Sequence, residues 1–332
     1  MAETNRQILL KARPAGRPGP EHFALAEAPL PEIGKNEVLV RHRFLSLDPY
    51  MRGRMDDSAS YSAPVKLGQV MEGECVGEVV ESRNPAFAPG DWVGGARGWQ
   101  LYSAAPGHTI QKLPGVEGVP PSAYLGVLGM PGTTAWVGVT EIGQPRPGET
   151  FVVAAASGAV GGVAGQIAKA MGCRVIGIAG GAEKCRYVTE ELGFDACLDH
   201  RGDLGAQLDE ACPGGIDVYF ENVGGAVQEA VFPRMRDFGR IAFCGMVAGY
   251  NVRPLPPGPN LTSVVRKRLR LQGFIVSDHP RAWATWRERG AAWIREGKLR
   301  WKEDVAEGLE NAPAAFIGLL EGKNFGKLVV KL

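Results

Sequence analysis

The chain has no pair of cysteines at C-x-x-C spacing and no H-E-x-x-H segment. Its six cysteines stand apart at positions 75, 173, 185, 197, 212 and 244, and its five histidines are equally scattered. These gaps exclude the common zinc-site spacings, so no metal is expected. A chain of 332 residues can bury a large core without cross-links, so reduced thiols in a cytoplasm are the expectation. The amino terminus, MAETNR, lacks an apolar signal segment, and no uninterrupted apolar stretch is long enough to span a bilayer. Charge of one sign is missing too: the net formal charge is +1, which gives no general attraction to nucleic acid or an anionic membrane. One basic run, RKRLR at residues 266–270, reads as a solvated helix end leading into a strand. Hydrophobic content of 45% and charged content of 22% are those of a soluble globular protein, and the length suggests two domains.

What is present centres on residues 150–179, TFVVAAASGAVGGVAGQIAKAMGCRVIGIA. Residues 151–156 are an apolar run suited to a strand buried on both faces. A glycine turn follows, and then Val163, Ile167, Ala170 and Met171 fall three or four apart, as on a helix. Residues 173–179 form a second apolar run, which completes a strand–turn–helix–strand unit. A turn without Cβ atoms lets backbone approach a pyrophosphate, and the following helix aims free N–H groups at it. The dinucleotide fingerprint G-x-G-x-x-G occurs here with Ala156 in its first place, followed by Gly158, Ala159, Val160 and Gly161.

An NAD site needs a carboxylate at the end of the second strand, about 20 residues past the glycines, to hold the ribose 2′-hydroxyl. This chain has Ala179, Gly180, Gly181 and Ala182 there, with Lys184, Arg186 and Arg201 beyond. No acid repels a 2′-phosphate and several cations can meet it, so the cofactor is expected to be NADP(H).

Before about residue 125 the pattern is strands and turns. Residues 37–47 and 69–81 read as strands, the second with Gly73 and Gly77 as points of bending, and Pro89-Gly90-Asp91 turns into Trp92-Val93. From about Met130 strands alternate with helices. Strands are expected at 194–198, 216–220, 240–244 and 271–276, and helices at 183–192, 204–211 and 227–235. Trp283, Trp286 and Trp293 fall on a further long helix and read as packing. The last strand, within residues 325–330, is expected to rejoin the first domain. A substrate is expected to meet the cofactor in a cleft between the domains.

Several phrases carry a family resemblance: LSLDPYMRGRM (45–55), LGVLGMPGTTAW (125–136), ENVGG (221–225), RLQGFIV (270–276) and KNFGKLVV (323–330). In type and order they resemble the zinc-free branch of the medium-chain dehydrogenase/reductase superfamily, the NADPH-dependent alkenal/one and prostaglandin reductases. AGGAEKCR, LDHR and SYS bring the chain especially close to the bacterial curcumin/dihydrocurcumin reductases. The resemblance covers nearly the whole chain. It implies an α/β fold in which a Rossmann-type doubly wound parallel sheet, residues 128–299, is inserted in a GroES-like, mostly antiparallel β-barrel domain, residues 1–127 and 300–332. It also implies a homodimer.

The resemblance assigns roles to matched positions. Gly158, Val160, Gly161 and Gly162 would line the pyrophosphate, and Lys184 would hold the 2′-phosphate. His200 stands where prostaglandin reductases carry a tyrosine near the adenosine. Asn222, Cys244 and Gly245 would border the ribose and nicotinamide. Phe274, Ile275 and Asn324 would fix the nicotinamide end, with Met130, Pro131 and Thr134 on its other face. Tyr50, Tyr61 and Tyr250 would face the substrate as catalytic candidates, Tyr250 lining the cofactor as well.

Zinc-dependent relatives carry a cysteine, a G-H-E and a four-cysteine lobe. Here Ser46-Leu47-Asp48 and Met71-Glu72-Gly73-Glu74 stand in the first two regions, and the lobe is absent. Without a Lewis acid, reduction of an activated carbon–carbon double bond is easier than direct reduction of a carbonyl. The expected activity is therefore reduction of the α,β double bond of enones or enals, with curcumin-like, alkenal or 15-oxo-prostaglandin-like substrates. A zinc-free quinone reductase and a non-enzymatic NADPH-binding sensor or partner protein remain as alternatives.

Overall fold

Six parallel strands carry the glycine turn. They are β1 (Thr150–Ala154), β2 (Arg174–Ala179), β3 (Ala196–Asp199), β4 (Ile216–Glu221), β5 (Met235–Phe243) and β6 (Arg270–Gly273), in the spatial order β3-β2-β1-β4-β5-β6. The order reverses between β1 and β4, the switch point at which open sheets of this type bind ligands. In this computed structural model residues 4–332 are described, and residues 1–3 of the polar amino terminus lie outside them. The chain divides into two compact units: residues up to Leu125 with Glu303–Asn324 and Leu328–Leu332, and Gly126–Lys302 with Phe325–Lys327.

In the second unit, helices α1 (Met130–Val137), α2 (Gly161–Ala170), α3 (Ala182–Glu190), α4 (Leu204–Ala211), α5 (Gly225–Val231), α6 (Thr262–Lys267) and α7 (Pro280–Arg295) connect or flank these strands. Val152, Ala154, Ile176, Ile178, Tyr219 and Ile241 join one buried cluster, as apolar runs of a sheet covered on both faces must. Trp286 of α7 is fully buried and donates its indole N–H to the Val127 carbonyl at 2.7 Å, which makes it packing as expected. The run at 266–270 also forms as expected: α6 ends at Lys267, Arg268 closes it with φ of 51°, and β6 begins at Arg270.

Several boundaries move. Ala155 and Ala156 leave β1 for the turn, Ala155 with φ of 53°. Strand β5 begins at Met235, earlier than the apolar pattern indicates, because Met235 pairs with Ile216 at the start of β4. The segment expected as a helix over 227–235 is split accordingly into α5, a short 3-10 turn (Phe232–Arg234) and the start of β5. Strand β6 stops at Gly273 because it pairs only with Arg240, Ile241, Ala242 and Phe243 of β5.

The first unit holds a seven-stranded sheet. Its path runs Glu303–Glu307, Lys327–Lys331, Glu37–Ser46, Glu74–Ser82, Trp92–Arg97 and Gln111–Lys112, with Tyr102–Pro106 also on Glu37–Ser46. The pairings of Glu37–Ser46 with its neighbours are antiparallel. Gly77 sits opposite a register shift between His42 and Phe44, where a Cβ would meet the Arg41 carbonyl oxygen at 2.1 Å. Gly73 serves packing rather than bending: a Cβ there would stand 2.9 Å from the Trp99 indole. Trp99 anchors this core, stacked on Phe23 at 5.7 Å and edge-on to Phe316 at 5.5 Å. A four-residue helix, Met51–Arg54, interrupts the strands, which the period-two pattern does not signal.

Candidate active site

Strand β1 delivers the chain into a tight turn. The Gly158 N–H donates to the Ala155 carbonyl at 2.9 Å, and the Gly162 N–H to the Gly158 carbonyl at 3.0 Å. Val160 is the N-cap of α2. A Cβ on Gly161 would stand 2.3 Å from the Ala155 carbonyl oxygen, so only glycine lets α2 start this close to β1. Such a turn, with glycine at 158, 161 and 162 ahead of a ten-residue helix, is what a pyrophosphate needs. A hollow of about 300 Å³, partly open to solvent, extends from Ser157, Gly158 and Gly162 past Tyr187 to Lys302 and Lys327.

The end of β2 is basic, and its organiser is an acid that sequence reasoning missed. Asp199, at the end of β3, accepts the N–H groups of Gly181 and Arg201, each at 3.0 Å. These bonds hold its carboxyl below the usual range and turn it toward backbone. His200 and Arg201 are thereby brought over Gly180 and Gly181. A Cβ on Gly180 would meet His200 Nε2 at 2.8 Å, and one on Gly181 would meet an Arg201 Nη at 2.9 Å. Lys184 lies in the first turns of α3 just beyond. The residues present thus fit a dinucleotide bearing a 2′-phosphate. Arg201, one of the cations that the sequence places beyond this strand end, thus lies over Gly181.

At the carboxyl ends of β4 and β5 several expected residues come together. Asn222 donates to the Ala154 carbonyl at 2.8 Å, which ties β4 to β1. The N–H groups of Cys244 and Gly245 both donate to the Glu221 carbonyl, at 2.9 and 3.2 Å. The Tyr250 hydroxyl returns to this point, 3.2 Å from where a Cβ on Gly245 would stand. Phe274 donates its N–H to the Phe243 carbonyl at 3.3 Å and packs edge-on against Phe220, with Ile275 next in the chain. Glu221 is a second residue that pattern reading missed. Fully buried, it accepts the Tyr219 hydroxyl at 2.9 Å and the N–H groups of Val223 and Gly224 at 2.7 and 2.9 Å. Burial pushes its carboxyl upward despite those donors. Burial, and Glu221 beside it, push the Cys244 thiol up to about 12. On α1, Thr134 bonds back to the Met130 carbonyl at 2.8 Å, and Pro131 occupies the first turn.

Tyr50, Tyr61 and Asn324 belong to the first unit. Tyr50 caps the helix Met51–Arg54 and packs against the core; burial, then Asp48, Glu72 and Glu74, hold its phenol well above the ordinary value. Tyr61 is 59% exposed in an irregular loop. Of the two regions that carry ligands in zinc-dependent relatives, Asp48 is bonded to the Ser46 hydroxyl and Glu72 faces Arg54 and Arg97. Among the described residues, no three His, Cys, Asp or Glu side chains group so as to hold a metal ion, and no helix is long and apolar enough to cross a membrane.

Residues 6–113 match the family described as the N-terminal domain of oxidoreductase, and residues 159–295 the family described as zinc-binding dehydrogenase. The chain is 52% identical to the NADPH-dependent curcumin reductase of Escherichia coli (strain K12), over 99% of this chain and 97% of that one. The chain belongs to the medium-chain dehydrogenase/reductase superfamily. A second member of it, the NADP(+)-dependent 2-alkenal reductase of Nicotiana tabacum, is 42% identical over 99% of this chain and 98% of its own. Among solved members, CurA from Vibrio vulnificus in complex with NADPH superposes with a TM-score of 0.94 at 48% identity, covering 98% of both chains. The Rossmann-type sheet and the mostly antiparallel sheet described above are those of the superfamily.

Proposed function

We propose that this protein is an NADPH-dependent reductase of the α,β carbon–carbon double bond of enones and enals. Two relatives support the substrate class by name, one a curcumin reductase and one a 2-alkenal reductase. The observation that carries the reading is the Tyr250 hydroxyl folded against Gly245 at the carboxyl ends of β4 and β5. It offers a hydrogen-bond donor to a substrate oxygen where no metal-ligand group stands among the described residues.

The glycine turn at Gly158, Val160, Gly161 and Gly162 would hold the pyrophosphate, and Lys184, His200 and Arg201 the 2′-phosphate. Asn222, Cys244, Gly245, Phe274 and Ile275, with Met130, Pro131 and Thr134, would fix the nicotinamide end. Bound NADPH supplies a hydride to the substrate β-carbon. The protein's task is then to stabilise charge on the substrate carbonyl oxygen and to leave the α-carbon open to a proton. Tyr250 donates to that oxygen. Tyr50 keeps its proton at physiological pH, because burial and then Asp48, Glu72 and Glu74 hold its phenol well above the ordinary value. Cys244 stays a neutral thiol at physiological pH and does not add to the electrophilic substrate.

The same reading takes the protein as a zinc-independent, cytoplasmic homodimer. Strand β6 ends its sheet with Arg270, Gln272 and Gly273 exposed, and Leu261 and Val265 beside it in sequence are exposed too. A second copy pairing at this edge would cover them. Sedimentation should show twice the mass of one chain. The activity is tested by screening enones, enals and quinones for NADPH oxidation. Turnover with enones and a saturated ketone product support the proposal; turnover with quinones alone would replace it by a quinone reductase, and tight NADPH binding without turnover by a sensor.

A further inference from the structure

Two cysteines meet beside the basic end of β2. On β3, Leu198 turns into the buried cluster that holds Ile178 and Leu208, so Cys197 and Asp199 lie on the opposite face of the strand. Cys197 pairs with Gly177 of β2. A Cβ on Gly177 would stand 2.9 Å from Val188 Cγ1, so Val188 of α3 lies over that pair. Cys185 precedes Val188 by three residues, which places it on the same face of α3. The two thiol side chains are hydrogen-bonded to each other. Both are free and half-buried, whereas Cys75, Cys173 and Cys212 are buried.

The pair is asymmetric. Burial raises both thiols, but the bond between them works against that rise at Cys185 and adds to it at Cys197. Cys197 is therefore the donor, and Cys185 is the readier thiolate. The pair also sits against the cations around Gly180 and Gly181. Lys184 directly precedes Cys185 in α3. Asp199, two residues beyond Cys197, holds the amides of Gly181, the N-cap of α3, and Arg201, each at 3.0 Å.

We propose that Cys185 and Cys197 are a redox-active pair that a hydroperoxide closes to a disulfide, and that this closure weakens NADPH. The effect on NADPH rests on the reading in which Lys184, His200 and Arg201 hold the 2′-phosphate. The Cys185 sulfur attacks the peroxide, the O–O bond breaks, and the leaving oxygen takes the proton that Cys185 gave up. The Cys197 sulfur then attacks the sulfenic acid so formed; the S–S bond forms, the S–O bond breaks, and hydroxide leaves with the Cys197 proton as water. Two electrons pass from the thiols to the peroxide. Hydrogen-bonded thiols stand farther apart than the roughly 2.05 Å of a disulfide, so closure draws the first turns of α3 toward β3. Lys184 moves with α3, while His200 and Arg201 stay with the end of β3.

The experiment treats the reduced full-length chain with hydrogen peroxide in modest excess, without cofactor. Its mass should fall by two hydrogens, with Cys185 and Cys197 in one linked peptide, and dithiothreitol should restore it. By fluorescence titration the oxidised protein should bind NADPH roughly tenfold more weakly and NADH within about twofold of the reduced protein. Linkage then requires saturating NADPH to raise the midpoint potential of the pair by about 30 mV. Cys197→Ser should stop at a Cys185 sulfenic acid that dimedone traps. Cys185→Ser should give no dimedone adduct at residue 197 and should keep its NADPH affinity in peroxide. Both variants, reduced, should bind NADPH as wild type does; alanine replaces serine where a variant does not fold. Absence of the linked peptide, a disulfide that leaves NADPH affinity unchanged, or equal loss of NADPH and NADH would overturn the proposal. Failure of the 2′-phosphate reading shows separately, as unchanged NADPH affinity in reduced Lys184→Ala and Arg201→Ala, and the linked peptide still reports the pair.

Discussion

The Tyr250 hydroxyl stands 3.2 Å from the point a Cβ on Gly245 would occupy, so the glycine makes room for the hydroxyl. Gly245 is itself fixed by its N–H bond to the Glu221 carbonyl, at the end of β4. A donor so placed should act on kcat. Tyr250→Phe keeps the ring and removes the hydroxyl, and hydride-transfer rates in single turnover should fall roughly ten- to a thousandfold with NADPH affinity kept. Tyr61→Phe should have a smaller effect. Unchanged rates in both variants and in the double variant would remove the two tyrosines from the mechanism.

Selectivity for NADPH should reside in the cations around Gly180 and Gly181. A charge-assisted bond contributes roughly 1.5–3 kcal/mol, one to two decades in affinity. Lys184→Ala and Arg201→Ala should each weaken NADPH at least about tenfold and leave NADH nearly unchanged, by fluorescence titration. Equal loss of both cofactors would show that these residues do not meet the 2′-phosphate.

The turn should tolerate no side chain at 161, because a Cβ would press on the Ala155 carbonyl oxygen at 2.3 Å. Gly161→Ala is expected to lower stability by about 1–3 kcal/mol in urea and to weaken NADPH by at least about tenfold. Native affinity in a stable variant would mean that α2 can shift without disturbing the cradle.

His42 links stability to pH. It is fully buried between the Gln100 carbonyl and the Ser103 hydroxyl, each 2.8 Å away. Burial lowers its pKa from 6.5 to about 4, against the smaller opposing effect of the Gln100 carbonyl. Because the folded value is depressed, the unfolded chain binds the proton first. Stability is therefore whole above pH 6.5 and falls as pH drops from 6.5 toward about 4, by about 3 kcal/mol in all. Urea midpoints at pH 7.5, 5.5 and 4.5 should show this slope, and His42→Gln should flatten it. An equal slope in the variant would assign the effect to other groups.

Activity should survive exhaustive chelation, and elemental analysis should find well under one zinc per chain. The acids at the relevant position are engaged with cations, Glu72 with Arg54 and Arg97, and are not gathered as ligands. Stoichiometric zinc whose removal abolishes turnover would overturn this.

The sequence by itself determined the texture of the nucleotide-binding unit. Apolar runs, the glycine turn after β1 and the period of α2 are local patterns, and local sterics and burial fix them wherever they occur. It also determined that residues 179–182, which end β2 and follow it, include no acid, because that is a matter of composition at one place. Only the tertiary structure decided what required distant segments to meet. Strand β5 starts at Met235 because β4 offers it a partner, and β6 ends at Gly273 because only four residues of β5 face it. Asp199 reads as one acid among many until the turn after β3 folds it onto the Gly181 amide. Packing buries Arg54 against Tyr50, Tyr61 and Glu72. Periodicity reports which face of an element is buried. Which charge lies under which ring is set by long-range packing, and no local pattern encodes it.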